Sequence, residues 1–237
     1  MKVMVGKISM AGHVEELAGA VEQLRSIKDL NPDKVFVLAN SEGTIHAVNY
    51  QISEEHKFAG LILEGMPGRK LDDLLRAQLS AQVATLPNDQ EVMAGYDKLM
   101  ANFLDGKPFA ADPALPEGIN NLVQGFYAPI NLPFTLEFFM LDPAPLLGKV
   151  TAPTIVIIGM KDVQVDYQLD GAPLEAAARG KANITFSNPE NANHVMKNET
   201  RPREALTGAD AVTYNASDKI LDPESVRIIE DWLIQNR

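Results

Sequence analysis

The sequence predicts an α/β protein built on a mostly parallel β-sheet. Apolar runs at residues 35–38, 58–63 and 154–159 predict three strands, and the run at 58–63 is nearly continuous, as in parallel strands that are covered on both faces. Residues 183–186 are a fourth, shorter strand candidate. Stretches of helical periodicity alternate with these runs. Because this alternation is typical of parallel sheets with flanking helices, we expect about four to five strands.

The helices that flank the first strand are marked by periodicity and by turn residues. Apolar residues recur on one face over residues 13–29, and the Asn-Pro-Asp turn at residues 31–33 ends this helix. A second helix is predicted over residues 44–51. The chain ends in a helix that Asp222 can cap, with Pro223 at its first position and Val226, Ile229 and Leu233 facing inward.

The segment between the second and third strands has a different character. Residues 71–83, 91–104 and 134–141 have helical patterns, separated by loops with proline and glycine, and no strand pattern occurs there. We therefore predict a helical cap over residues 67–147, inserted into a core formed by residues 1–66 and 148–237.

Composition excludes several classes of site and partner. The chain has 237 residues, no cysteine and a formal net charge of −11. Disulfides and thiolate chemistry are thus excluded, and the negative charge argues against nucleic acid or anionic membranes as partners. No apolar run approaches the roughly 20 residues of a membrane span. Residues 1–7 lack the apolar core of a signal peptide, so we expect a cytoplasmic location.

A serine lies where the first strand passes into a helix. The segment Ala39-Asn40-Ser41-Glu42-Gly43 follows the apolar run directly and has a small residue two positions before and two positions after the serine. This is the context of a nucleophile elbow, a sharp turn that exposes a serine hydroxyl above the end of a sheet.

An aspartate and a histidine follow the next strands in the order that serine catalysis needs. Asp162 comes just after the third strand, and His194 comes after the fourth. Carboxyl ends of parallel strands meet at one edge of the sheet, so Ser41, Asp162 and His194 are expected to lie together. The imidazole would take the proton of the serine, and the carboxylate would orient the imidazole. Asp166 is the alternative acid; His13, His46 and His56 are expected to be structural or solvated.

These motifs resemble the α/β-hydrolase superfamily, in particular bacterial serine esterases and serine aminopeptidase-like hydrolases with a Gly-His-Ser-Glu-Gly elbow. The Gly-x-x-Asp segment that ends in Asp162 and the Asn-His-Val segment around His194 match as well. By this resemblance Ser41 would be the nucleophile, His194 the general base and Asp162 the orienting acid. The backbone N–H of Glu42 would be one oxyanion donor.

The chain departs from this family in its first half. The family has four strands before the elbow, and a loop among them supplies a second oxyanion donor; here at most residues 3–8 could form a remnant strand. We therefore expect a truncated α/β-hydrolase fold in which the elbow strand is a bare edge. An apolar edge pairs readily with another chain, so a homodimer or higher homo-oligomer is expected.

The leading functional hypothesis is a carboxylesterase that cleaves small to medium acyl esters, with no metal or cofactor. Its rate could be modest because one oxyanion donor has no visible source. Two alternatives stay open. One is a catalytically weak or inactive hydrolase remnant that serves as a binding or assembly module. The other is an aminopeptidase-like amide hydrolase, which would need a site for the amino group of the substrate. The aromatic residues Phe126, Tyr127, Phe134, Phe138 and Phe139 could line an acyl pocket or form the core of the cap.

Overall fold

A computed structural model describes residues 8–53, 57–214 and 216–237 of the chain. Of the possible strand at residues 3–8, residues 3–7 lie outside the described residues. His56 also lies outside them. Ile8 itself precedes the first helix.

The sheet has four parallel strands in the described part of the chain. They follow one another in space in the order of the sequence and are β1 (Phe36–Asn40), β2 (Gly60–Glu64), β3 (Thr154–Ile157) and β4 (Ile184–Ser187). All residues of β2 and β3 are buried, as their continuous apolar runs predict. The predicted mostly parallel α/β sheet is thus confirmed. β1 extends to Asn40, which is paired in register with Glu64 of β2.

Helices make up most of the remaining structure. In chain order they are α1 (Met10–Arg25), α2 (Glu42–Ser53), α3 (Leu71–Val83), α4 (Asp89–Leu104), α5 (Glu117–Phe126), α6 (Leu132–Met140), α7 (Pro143–Leu147), α8 (Gly171–Ala177) and α9 (Pro223–Asn236). None of the helices in these described ranges is both long and apolar enough to cross a membrane.

The described residues divide into two compact units. One contains residues 8–13 and Lys70–Leu141; the other contains Val14–Arg69 and Asp142–Arg237, and with them the whole sheet. The boundary near the N-terminus falls within α1, after His13.

The unit with Lys70–Leu141 is helical and has an aromatic core. Phe103 is buried, with ring centroids 5.0 Å from Tyr127 and 6.1 Å from Phe139, and Phe126 lies 4.8 Å from Phe139. These aromatic residues therefore pack against one another, as expected if they form the core of this helical segment.

The unit with the sheet has its core between the strands and α9. Ile62, Ile155 and Ile157 from the strands pack with Ala192, Met196 and Trp232. At the start of α9 the Asp222 carboxylate accepts from the Ser225 amide at 2.8 Å, and Pro223 occupies the first turn. Trp232 is the most buried apolar residue of this helix, with Ile228, Ile229 and Leu233 partly buried beside it. Ala192 and Met196 lie two residues before and two residues after His194. Because both pack in the same core as Trp232 of α9, this core holds the His194 segment against the sheet.

Candidate active site

Ser41 occupies a strained turn between β1 and α2. Its φ is 54°, in the left-handed region that side chains other than glycine disfavour. The Ser41 amide donates to the Glu64 carbonyl at 2.9 Å, and the Ser41 carbonyl accepts from the Thr44 amide at 2.9 Å. These bonds fix the turn from both sides, so that the serine is held at the carboxyl edge of the sheet.

The alanine at the start of the elbow is compatible with this turn. A Cβ atom built on Gly43 would lie 4.0 Å from Cβ of Ala39, which is an ordinary contact distance. Since Gly43 has no such atom, Ala39 leaves ample room for α2 to follow the strand.

His194 and Asp162 form a buried hydrogen-bonded pair. The Nδ1 atom of His194 lies 2.7 Å from Oδ2 of Asp162. The other carboxylate oxygen of Asp162 accepts from the amides of Gln164 at 2.7 Å and Val165 at 2.9 Å. Because the carboxylate accepts from Nδ1–H, Nε2 is the nitrogen left to act as a base.

The loops after β3 and β4 are fitted closely to each other. A Cβ atom on Gly159 would come within 2.1 Å of the Ala192 carbonyl oxygen, so only glycine allows this approach. The Lys161 amide donates to the same carbonyl at 3.0 Å. The Asn193 side chain accepts from the amides of Val195 and Lys197, which holds the turn that presents His194.

The residue before the serine connects the elbow to the histidine segment. Nδ2 of Asn40 donates to the backbone carbonyl of His194 at 2.8 Å. No hydrogen bond joins Ser41 Oγ to the His194 ring among the described residues; catalytic bonds of this kind often form only when substrate binds. The structure therefore brings Asp162 and His194 into contact and ties the backbone of His194 to the elbow of Ser41.

The backbone amide of Glu42 is the first amide group of helix α2. Amides in the first turn of a helix have no intrahelical acceptor and lie at its positive end. The N–H group of Glu42 is therefore a suitable donor to an oxyanion that forms at Ser41.

The other candidate residues lie apart from this pair. Oδ1 of Asp166 accepts from the amides of Gln168 and Leu169 at 2.9 Å, and no bond joins it to His194 in the described residues. His46 lies on α2, 3.1 Å from the Glu42 carboxylate, and the His13 ring packs edge-on against Phe134.

Glu64 is a site residue that the sequence analysis missed. It ends β2, between the strands that lead to Ser41 and to Asp162, and only 7% of its surface is exposed. Burial raises the pKa of its carboxyl group to about 7, although the nearby His194 opposes this shift. The signal was available, because Glu64 is a single acidic residue that directly follows the apolar run at 58–63.

The fold is shared with known α/β-hydrolases. A monoacylglycerol lipase from Paleococcus ferrophilus is 14% identical with a TM-score of 0.52, over 98% of this chain and 77% of the lipase. An esterase from Thermogutta terrifontis is 20% identical with a TM-score of 0.51, over 99% of this chain and 75% of the esterase. An esterase from Pyrococcus furiosus is 16% identical with a TM-score of 0.51, over 94% of this chain and 61% of that protein.

At the level of sequence the chain is distant from these proteins. No protein-family model matches it, and no curated protein matches it. The similarity thus concerns the three-dimensional arrangement of strands and helices. On that evidence the chain has the α/β-hydrolase fold.

Proposed function

We propose that the protein is a serine hydrolase that cleaves carboxylic esters of small to medium acyl chains through an acyl-enzyme on Ser41. The observation that carries the proposal is the buried 2.7 Å contact between His194 and Asp162, beside a serine held at a φ of 54°. A strained turn and a buried carboxylate both cost free energy, and functional sites are where such costs concentrate.

The geometry supports a definite division of roles. Ser41 Oγ attacks the ester carbonyl carbon while its proton passes to Nε2 of His194. The Glu42 amide donates to the oxyanion of the tetrahedral intermediate. The intermediate collapses, the ester C–O bond breaks, and the departing alcohol takes the proton from His194.

Hydrolysis of the acyl-enzyme repeats these steps with water. Water attacks the acyl carbonyl and gives a proton to His194; the carboxylic acid then leaves, and the proton returns to Ser41. Asp162 stays ionised and stabilises the imidazolium in both halves. Residues of this chain can carry every one of these proton transfers, so the proposal invokes no metal or cofactor.

The names of the three structural neighbours described above point to ester substrates. Two of the proteins above are esterases and one is a monoacylglycerol lipase. At 14–20% identity these neighbours share the fold with this chain. We therefore include ester substrates for this chain as part of the proposal.

The test is hydrolysis of p-nitrophenyl acetate, butyrate and octanoate by the purified protein and by its Ser41→Ala variant. An aminoacyl p-nitroanilide in the same assay tests the amide-hydrolase alternative. We expect ester turnover that the substitution abolishes, with the best chain length reporting the size of the acyl site. Equal background rates in both proteins would overturn the proposal and favour the binding-module alternative.

A further inference from the structure

A groove runs between helices α3 and α4 of the helical unit. It consists of a cavity of about 210 Å³ and an adjoining cavity of about 320 Å³. Arg76 of α3 and Asp97 of α4 line both cavities, and their side chains form an ion pair at 2.7 Å where the cavities meet. We call the two cavities together the α3–α4 groove.

Carboxylates lie toward both ends of the α3–α4 groove. Asp72 and Asp73 line the first cavity and Asp89 lines the second, whereas the one guanidinium in the groove, that of Arg76, is already neutralised by Asp97. These three acidic residues also lie in the first turns of α3 and α4, where a negative charge is favourable for the helix itself. The acidic residues alone therefore do not indicate a ligand.

The buried hydroxyl group of Tyr96 does point to a ligand. Tyr96 lines the first cavity although only 1% of its surface is exposed, and within the described ranges of the chain its hydroxyl group has no hydrogen-bond partner. Burial raises the pKa of this hydroxyl, and the negative charges of Asp97 and Asp72 raise it further, so it stays neutral and faces those carboxylates. A buried hydroxyl without a partner is costly, and a donor that reached it from the groove would remove that cost.

The ion pair in the groove shows which kind of group the carboxylates accept. Nε and Nη2 of Arg76 donate to the two carboxylate oxygens of Asp97 at 2.7 and 2.8 Å. The side chains of Arg76 and Asp97 are 48% and 42% exposed, and exposed ion pairs contribute little to stability. Another cation can therefore displace the guanidinium at little cost, and its displacement would join the two cavities.

The shape and the walls of the groove favour an elongated aliphatic cation. Met100, Ala101 and Leu104 line the first cavity, and Met93 and Ala94 line the second. At 1.5 Å per residue, helix α4 advances roughly 22 Å along the groove from its first residue to its last. Apolar walls of this length suit a chain of methylene groups, while the carboxylates suit the charged ends of such a chain.

We propose that the α3–α4 groove binds an aliphatic polyamine in place of the Arg76 guanidinium. One ammonium group donates to the Tyr96 hydroxyl and the Asp72 carboxylate, and another binds near Asp89 in the second cavity. The methylene groups between them pack on the apolar walls. The proposal concerns residues of the helical unit alone, so it is independent of the proposed ester hydrolysis.

The test is a titration of the full chain with spermidine, followed by NMR of the methionine methyl groups. Met100 and Met93 report on the two cavities, and Met140, which is 68% exposed on α6, is the internal control. Met→Leu variants assign the three signals. We expect saturable shifts at Met100 and Met93 and none at Met140. Mg²⁺ at the same ionic strength should not cause these shifts, because the described residues contain no group of three or more metal-ligating side chains that could hold an ion.

The Tyr96→Phe variant tests the hydroxyl group. It should weaken spermidine binding by at least about tenfold, because a hydrogen bond to a charged group is lost. Thermal melts should show no loss of stability, since the hydroxyl that is removed has no partner in the free protein. Tyr127→Phe, at a tyrosine of the aromatic core of the same unit, should leave the binding constant unchanged.

Two further variants test the charges of the groove. Asp72→Asn should weaken binding by about threefold, as expected for a partly exposed ion pair. Asp105→Asn changes the net charge equally but removes an exposed carboxylate that is paired with Lys107, so binding should be unaffected. Arg76→Gln should tighten binding several-fold because the competing cation is gone.

The titration involves no turnover, so its result does not depend on whether the protein hydrolyses esters. The absence of saturable shifts at Met100 and Met93 would overturn the proposal, and so would equal affinities in the wild type and Tyr96→Phe. Weaker binding in Arg76→Gln would contradict the displacement of the guanidinium. If Mg²⁺ reproduced the shifts, the effect would come from the net charge of −11 alone and the polyamine site would be refuted.

Discussion

The side-chain amide of Asn40 donates to the backbone carbonyl of His194 at 2.8 Å, across a sequence separation of 154 residues. Asn40 is the residue directly before the serine, so this one bond joins the strand that carries the proposed nucleophile to the segment that carries the proposed base. The Glu64 carbonyl accepts from the Ser41 amide on the other side of the elbow. The positions of Ser41 and His194 are thus coupled through the Asn40 side chain and the backbone of the elbow, without a bond between the Ser41 and His194 side chains.

Asn40→Ala should lower kcat by about fivefold with little change in KM, because one hydrogen bond of roughly 1 kcal/mol that positions the base is lost. Asn40→Asp should be at least as harmful, since a carboxylate cannot donate to the carbonyl. The matched control is Asn236→Ala, which removes an amide bond of the same length, 2.8 Å, to the Trp232 carbonyl in α9. Steady-state kinetics on all three decide the matter, and equal kcat values in the Asn40 and Asn236 variants would refute a positioning role.

Asp162→Asn should lower kcat by about 10⁴-fold while the protein stays folded. The substitution keeps the shape of the side chain but removes the charge that stabilises the imidazolium and fixes its tautomer. Asp166→Asn is the control, because Asp166 belongs to the same loop but bonds to the amides of Gln168 and Leu169. Ester hydrolysis with circular dichroism as a check on folding measures both. A larger loss in Asp166→Asn would make Asp166 the acid.

Glu64→Gln should stabilise the protein at pH 8 and have little effect near pH 4.5. In the folded chain the pKa of Glu64 is raised from 4.5 to about 7, so its ionisation destabilises the fold as the pH rises through this window. Above pH 7 the cost is of the order of 3 kcal/mol at most. The control is Glu175→Gln, which removes an exposed carboxylate on α8. Thermal melts of wild type and both variants should show a gain of several degrees for Glu64→Gln alone, growing with pH. A gain independent of pH would contradict this assignment.

The open edge of β1 predicts self-association, and we propose that a second copy of the chain pairs with it. Within the described residues β1 is an edge strand, and Leu38 on it is 54% exposed. Leu38→Lys should convert a dimer to a monomer in light scattering at micromolar concentration. Leu169→Lys, at a loop leucine that is 60% exposed, should leave the mass unchanged. A wild-type protein that is already monomeric would refute the proposal.

Much of the fold could be predicted because its signals are local. Three of the four strands appear as apolar runs and the fourth as a shorter segment, and the bounds of α3 agree with the predicted residues 71–83. The short helices α7 and α8 were missed, since so few residues leave no clear periodicity. Helix α5 was not predicted either, although Ile119, Leu122, Val123 and Phe126 recur at helical spacing after Pro116.

The predicted site residues were likewise those with local signals: Ser41 in its elbow, and Asp162 and His194 after strands. What the sequence could not supply is the contact network among them. The bond from Asn40 to His194 and the position of Glu64 beside it depend on the register that pairs Asn40 with Glu64. Likewise, Arg69 forms a 2.8 Å ion pair with the buried Asp170, which lies 101 residues further along the chain. Such long-range pairings follow from the assembled sheet and not from any segment.

The most direct test of the central claim is covalent labelling of Ser41 with a fluorophosphonate, read by intact mass and peptide mapping. An activated serine reacts with such a probe even when its turnover of esters is slow. The account predicts a single adduct on Ser41 in the wild type, no adduct in Ser41→Ala, and strongly slowed labelling in His194→Gln. A wild-type protein that stays unlabelled, or an adduct that persists in Ser41→Ala, would contradict the assignment of Ser41 as the nucleophile.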